Sequence, residues 1–294
     1  MTRDAEERQA LVAMPAIIAI AVAITWAGCQ GGRSVGALSI FALCALLSFG
    51  INWLGFFHAW TRQTERFFDL MGSLSYGALI VTALVLGGVP DLRSLLLGTM
   101  VIVWAARLGS FLFRRISRDG SDRRFDEIKP SWPRFLMTWT LQGLWVLLTL
   151  SCALAAITSS RPVPLDAFAI VGGSIWLFGF AIEVVADRQK SRFRSNPANR
   201  ERFISTGLWA WSRHPNYFGE IVLWIGVAVV ALPVLRGWQY ATLVSPLFVY
   251  VLLTRISGVP LLESRGKKKW GRDPEYQAYR ENTPVLFPRR PRPS

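Results

Sequence analysis

The sequence predicts an all-α, polytopic bundle of membrane-spanning helices. Three observations carry that expectation. First, 52% of the 294 residues are hydrophobic and only 18% are charged, against about 25% charged in ordinary soluble domains. Second, the apolar residues gather into eight stretches of roughly bilayer-spanning length, about 20 residues each. Third, the chain still carries a formal charge of +14, and its cations fall in alternate segments between those stretches. The same composition excludes disordered, collagen-like and disulfide-rich secreted classes. Cys29, Cys44 and Cys152 sit in or beside apolar runs with no ligand spacing. Two histidines, His58 and His214, are too few for a histidine-rich metal cage, so no metal is expected.

The stretches run near 11–29, 35–57, 72–90, 92–113, 136–157, 165–186, 216–235 and 238–256. The first is long and no small-residue cleavage pattern follows it, so it reads as a retained helix. The third is diluted by Ser73, Ser75, Tyr76 and Thr82. The sixth continues past the apolar run as Asp187-Arg-Gln-Lys-Ser-Arg-Phe-Arg194. The seventh opens on Pro215, which suits a first helical turn because its missing N–H costs nothing there. Only Arg236 and Gly237 separate the seventh and eighth, which predicts a tight helical hairpin. A seven-span chain, lacking the first or third stretch, is the alternative. Trp26, Trp60, Trp132, Trp139, Trp209, Trp211, Trp238 and Trp270 fall near span ends, as interfacial anchors should.

Alternate inter-stretch segments hold 28 cations on one side and 4 on the other, with Arg107 inside the fourth stretch. The positive-inside rule makes the 28-cation side cytoplasmic. Eight spans then leave both termini in the cytoplasm, and chemistry is expected on that face.

The basic loops 114–135 and 187–215 would also attract anionic lipid. Three features point further. Asp187, Lys190 and Arg194 share one helix face, joined by Glu183 one turn earlier at membrane depth; the alternative is a helix-end ion pair. Arg213 and His214 flank the free N–H groups of the seventh helix, an arrangement suited to an anion such as phosphate. Asn216 and Glu220 stack one turn apart on that helix; the alternative is an ordinary cap with a buried, hydrogen-bonded Glu. The second helix exits into Gln63-Thr-Glu65-Arg-Phe-Phe-Asp69, a polar knot. Arg107 either snorkels to the interface or pairs with Glu65, Asp69 or Glu127. No Walker loop, Rossmann fingerprint, His-Glu-x-x-His or Gly-x-Ser-x-Gly occurs.

The run Gly207-Leu208 through Ser212-Arg213-His214-Pro215-Asn216-Tyr217-Phe218-Gly219-Glu220 resembles the C-terminal domain of the steroid 5-alpha-reductase superfamily. That group includes sterol reductases and isoprenylcysteine carboxyl methyltransferase. The Asp187…Arg194 segment and Trp270-Gly-x-x-Pro-Glu-Tyr276-x-x-Tyr279-x-x-x-Thr283 are similar to it too. Asp119-Gly-Ser-Asp122-x-Arg124-Phe-Asp126 and Phe67-Phe-Asp69-x-x-Gly-Ser-Leu-Ser-Tyr76 are typical of a bacterial, 1295-type branch of unknown function. The resemblance covers roughly 60–290. It implies a domain organisation of N-terminal spans (1–60), a reductase-like membrane catalytic domain (61–290) and a disordered basic tail (291–294).

The resemblance further implies NADPH bound from the cytoplasmic side. Asp187 and Arg194 would contact its nucleotide half and Arg202 its phosphates or nicotinamide ribose. Asn216, Tyr217 and Glu220 would line the nicotinamide end, and Lys190, Arg213 and His214 are expected among the cofactor-binding residues. Arg107 and the 114–127 loop would lid the site, and Tyr276 and Tyr279 would close it. The family's substrate-activating pair is matched by Gln63 and Glu65, here separated by Thr64 where the steroid reductases have the pair adjacent. A protonated Glu65, acting directly or through Gln63 or Tyr76, would donate a hydrogen bond to an enone oxygen, where charge develops during hydride transfer. A lipophilic, steroid-like substrate would enter from the bilayer. Two alternatives stand beside this reading: an S-adenosylmethionine-dependent methyltransferase on the same scaffold, and a non-enzymatic protein binding lipid or a partner. Nucleic acid is not an expected partner, since the cations are scattered among membrane loops without a nucleic-acid motif.

Overall fold

The computed structural model describes residues 3–119 and 125–291, with side chains described for 4–111 and 125–291. Residues 120–124 of the expected lid and 292–294 of the tail therefore lie outside the described residues. Among the described residues the fold is all-α apart from one short hairpin of two-residue strands, β1 (Ser34–Val35) with β2 (Leu38–Ser39). The helices are α1 (Arg3–Gly28), α2 (Ile40–Arg62), α3 (Phe68–Leu86), α4 (Leu92–Asp119), α5 (Trp132–Ile157), α6 (Ala167–Ser195), α7 (Pro215–Ala231), α8 (Val244–Val251), α9 (Val259–Trp270) and α10 (Pro274–Asn282).

Among the described residues, seven elements are long and apolar enough to cross a membrane: α1 to α6 and the helical run from Gly237 to Trp270. The protein is an integral membrane protein. The short element is α7, with 17 residues, and neither the first nor the third stretch fails. Pro233 explains this. Proline cannot continue a helix and disfavours helical backbone in the residue before it, so α7 stops at Ala231. The expected tight hairpin is corrected for the same reason. A turn over 232–236 and a 3-10 segment, Gly237–Leu243, separate α7 from α8, with Gly237 at φ 50°.

The chain forms two compact units. Unit 1 comprises Met1–Ala169 and Val230–Ser245; unit 2 comprises Ile170–Val229 and Pro246–Ser294. In unit 1, α5 is the central helix, buried continuously from Gln142 to Leu144 and from Val146 to Ile157, with α1, α2, α3 and α4 against it. Polar side chains there are paired across helices. Ser48 Oγ donates to the Gly143 carbonyl at 2.8 Å, and Asn52 Nδ2 donates to Ser75 Oγ at 3.2 Å. An aromatic cluster of Phe56, Phe68, Phe125, Phe135 and Trp139 packs where α2, α3 and α5 meet. Trp139 is 1% exposed, so it is a core residue and not the interfacial anchor its position suggested. Trp209 is corrected likewise: it is buried, and its Nε1 donates to the Ala186 carbonyl at 3.1 Å.

In unit 2, α6 and α7 touch backbone to backbone. A Cβ added at Gly219 would lie 2.6 Å from the Gly179 carbonyl oxygen, and one at Gly226 would lie 2.6 Å from the Trp176 nitrogen. Only glycine permits this approach, and it fixes the start of α7 against the charged end of α6.

Candidate functional site

Most predicted cofactor residues belong to unit 2. Its organising group is Glu263 on α9. Arg213 Nη1 donates to Glu263 Oε2 at 2.6 Å, His214 Nε2 lies 3.0 Å from Oε1, and Arg280 Nε lies 3.4 Å from Oε2. The segment before α7 is pinned from its other side by the chain's end. Ser212 Oγ donates to the Leu286 carbonyl at 2.8 Å, Arg213 N to that of Pro284 at 2.9 Å, and Arg289 N to that of Trp211 at 3.0 Å. Above His214 the Tyr217 ring stacks at 5.6 Å. Tyr279 Oη donates to the Trp209 carbonyl at 2.7 Å, and Lys190 Nζ sits 4.5 Å over the Trp209 ring.

Burial holds the His214 imidazole below its ordinary range; Glu263 opposes this, while Lys190 and Arg213 reinforce it. A neutral imidazole beside an accepting carboxylate carries its proton on Nε2, so Nδ1 is an acceptor. Burial likewise pushes the Tyr276 and Tyr279 phenols up, so both remain protonated. Three buried polar atoms here have no hydrogen-bond partner among the described residues: Arg213 Nε, His214 Nδ1 and Asn216 Oδ1. One is a donor and two are acceptors. A bare phosphate offers only acceptors and would satisfy the first alone. A ligand end rich in hydroxyl and amide groups would satisfy all three. The sequence expectation of a phosphate at this helix start is thus redirected toward a sugar or carboxamide.

The remaining predicted residues of unit 2 differ in setting. Asp187 is buried, Arg194 and Arg202 are exposed, and Glu220 and Asn216 are half-buried. Tyr276 is buried against Phe203, with ring centroids 5.0 Å apart.

Arg107, Gln63, Glu65 and Tyr76 belong to unit 1. The Arg107 guanidinium lies 5.9 Å from the Phe111 ring centre. Gln63 is exposed and caps α2 at φ 48°; its Nε2 donates to the Trp60 carbonyl at 2.9 Å. Glu65 is buried and pairs with Lys129 Nζ at 2.6 Å. This corrects the picture of a protonated Glu65, since a carboxylate in an ion pair accepts hydrogen bonds and does not donate them. Tyr76 is buried edge-on to Trp104 at 5.0 Å. Beside this knot lies an apolar cavity of about 200 Å³, lined by Leu54, His58, Thr64, Phe67, Met71 and Trp139 among others.

A larger, more polar cleft of about 550 Å³ lies in unit 2, between the end of α6 and residues 196–207. Gln189, Arg192 and Phe193 line it. At 3.6 residues per turn these sit roughly 140° around α6 from Asp187, Lys190 and Arg194, so the cleft and the predicted cofactor face are on different sides of the helix.

Comparison with known proteins assigns the chain to a family. Residues 55–283 match the family described as Protein of unknown function (DUF1295). The chain belongs to the DUF1295 family. That family is related to the steroid 5-alpha-reductase superfamily. The DUF1295 chain is 24% identical over 283 residues to the uncharacterized protein C594.04c of Schizosaccharomyces pombe, covering 85% of this chain and 80% of the relative. It is 29% identical over 72 residues to 3-oxo-5-alpha-steroid 4-dehydrogenase 1 of Bos taurus, covering 24% of this chain and 28% of that enzyme. No solved structure matches significantly.

Sequence reasoning missed Glu263, Lys129 and the C-terminal strap. For Glu263 a signal existed: it is the single acid between Arg255 and Arg272, a segment with six cations. A lone carboxylate in such a segment needs cationic partners, and here it has two plus an imidazole. Lys129 and the strap carry no comparable sequence mark.

Proposed function

We propose that this DUF1295 protein is a membrane-embedded, NADPH-dependent reductase of a lipophilic enone or alkene, with its active site facing the cytoplasm. The observation that carries the reading is the trio of unpaired buried atoms at the start of α7, Arg213 Nε, His214 Nδ1 and Asn216 Oδ1. Their donor and acceptor set suits the hydroxyl- and carboxamide-bearing nicotinamide end of the cofactor. The partial similarity to a steroid dehydrogenase supports the same class.

When bound, NADPH supplies a hydride. The chain's own residues supply position and charge. Glu263 fixes the two arginines and the imidazole without neutralising all of them. Tyr276 and Tyr279 stay phenolic and act as hydrogen-bond donors. In unit 1, the cavity of about 200 Å³ is smaller than the roughly 300–1,000 Å³ of drug-sized ligand sites, so it takes one end of a lipophile. Leu54, 74% exposed at its rim, leaves it accessible to bilayer-dissolved molecules.

The test is direct binding on purified full-length protein in detergent. NADPH is expected to accept excitation energy from the protein's tryptophans, and Asn216→Ala should weaken binding about tenfold, the loss of one buried hydrogen bond, about 1.4 kcal/mol. No NADPH binding by the wild type would remove the reading. Binding of S-adenosylmethionine in its place would turn it into a methyltransferase.

A further inference from the structure

The cleft beside α6 contains none of the predicted cofactor residues, and its chemistry is different. We propose that it binds the phosphate-bearing headgroup of an anionic membrane lipid.

Depth is the first argument. Helix α6 has 29 residues, about 43 Å at 1.5 Å per residue, against a hydrocarbon core of about 30 Å. Its apolar run ends near 186, so the surplus of about 13 Å is the charged end, Asp187 to Ser195. That end stands at headgroup level, and Gln189, Arg192 and Phe193 line the cleft from it. Phospholipid phosphates are already concentrated at this depth.

Charge is the second. Residues 187–202 hold six cations and two acids. Arg192 is the cation that lines the cleft, and it is exposed.

The third argument is the neutral lining. Asn196 Oδ1 accepts from Ala198 N at 3.0 Å, and Asn199 Nδ2 donates to the Phe193 carbonyl at 2.9 Å. Each amide keeps its other atom for a ligand, and Thr206 adds a hydroxyl. These groups suit the hydroxyls of a glycerol-type headgroup. Phe193 and Ile204 form an apolar wall for the glycerol backbone and first methylenes. A free phosphate ester would leave that wall bare. An acyl-bearing one would cover it.

The site lies on the side of α6 away from Lys190 and Asp187, so lipid and cofactor binding are separable. The test is native mass spectrometry of the full chain released from nanodiscs of equal phosphatidylglycerol and phosphatidylcholine. Wild type is expected to retain phosphatidylglycerol preferentially. Arg192→Glu should lower that retention about tenfold, while Arg192→Lys should keep most of it. Glycerol 3-phosphate should not displace the lipid. NADPH affinity, measured on the same samples, should change less than about twofold in Arg192→Glu, because no predicted cofactor contact is removed. Equal retention of phosphatidylglycerol by wild type and Arg192→Glu would overturn the proposal. So would displacement by glycerol 3-phosphate, which would mark a soluble phosphate ester as the occupant. Loss of NADPH binding in Arg192→Glu with lipid retention intact would assign the cleft to the cofactor and also overturn it. If the wild type binds no NADPH, the reductase reading fails while the lipid comparison still decides this site.

Discussion

His214 illustrates how one side chain links sequence, burial and chemistry. Its position before Pro215 was legible as part of a cation-flanked helix start. Its protonation state was not, because that depends on Glu263, 49 residues later in the chain. Burial is the largest influence and holds the imidazole below its ordinary value of 6.5. The linkage sign follows. The unfolded chain takes up the proton first, so stability is fully present above about pH 6.5 and declines as pH falls from there toward the lower folded value. The expected outcome in detergent is a thermal unfolding midpoint that is level between about pH 7 and 8 and falls between about pH 6.5 and 5.5, ahead of carboxylate titration. His214→Gln should flatten that segment. The only other histidine, His58, is exposed. An unchanged slope in His214→Gln would mean that the imidazole is not the group responsible. Gln63 teaches the converse lesson. As a residue type it matched a substrate-activating pair, but its left-handed backbone and its bond to Trp60 give it a capping role that composition cannot announce.

At the scale of elements, the apolar stretches located α1 to α8, and the fold class was readable from them alone; the polar helices α9 and α10 lie beyond the last stretch. The ends were less readable. Apolar character continues through Leu232, Val234 and Leu235, so hydropathy ran the seventh stretch on to 235. The backbone constraint of Pro233 ends α7 at Ala231. The α6–α7 contact was also hidden. Glycines recur seven apart on both helices, at Gly172 and Gly179 and at Gly219 and Gly226, but a single sequence does not say which faces meet. Their difference from neighbouring glycines is testable. A Cβ at Gly226 would meet Trp176 N at 2.6 Å and the Gly172 carbonyl at 2.7 Å, whereas at Gly173 nothing lies within 4 Å. Gly226→Leu is therefore expected to cost at least the 1–3 kcal/mol, roughly, of ordinary overpacking, since backbone cannot step aside as a side chain can. It should aggregate on size-exclusion chromatography or melt well below wild type. Gly173→Leu should elute and melt like wild type. Equal behaviour of the two variants would contradict the backbone contact.

For the whole molecule, the informative quantity is the parity of crossings. Seven elements are long enough to span, and α7, at 17 residues, is the eighth candidate. Its length is about 25 Å against a hydrocarbon thickness of about 30 Å, a mismatch that local bilayer thinning accommodates at modest cost. The alternative is that α7 does not cross. The run from Gly237 to Trp270 would then carry the C-terminal segment to the outer side, along with the ten cations found from Arg255 onward. Charge asymmetry of 28 against 4 would be broken by its largest single block, against the positive-inside rule. The charges thus favour a crossing α7, where length alone would leave it undecided. Green fluorescent protein fused after residue 294 should fluoresce, since it folds on the cytoplasmic side, while alkaline phosphatase at the same place should be inactive. Both signals should invert for a fusion after Arg161, in the turn between α5 and α6. Active phosphatase after residue 294 would mean seven crossings and would move Glu263, Tyr276 and the C-terminal strap to the outer face, away from any cytoplasmic nucleotide.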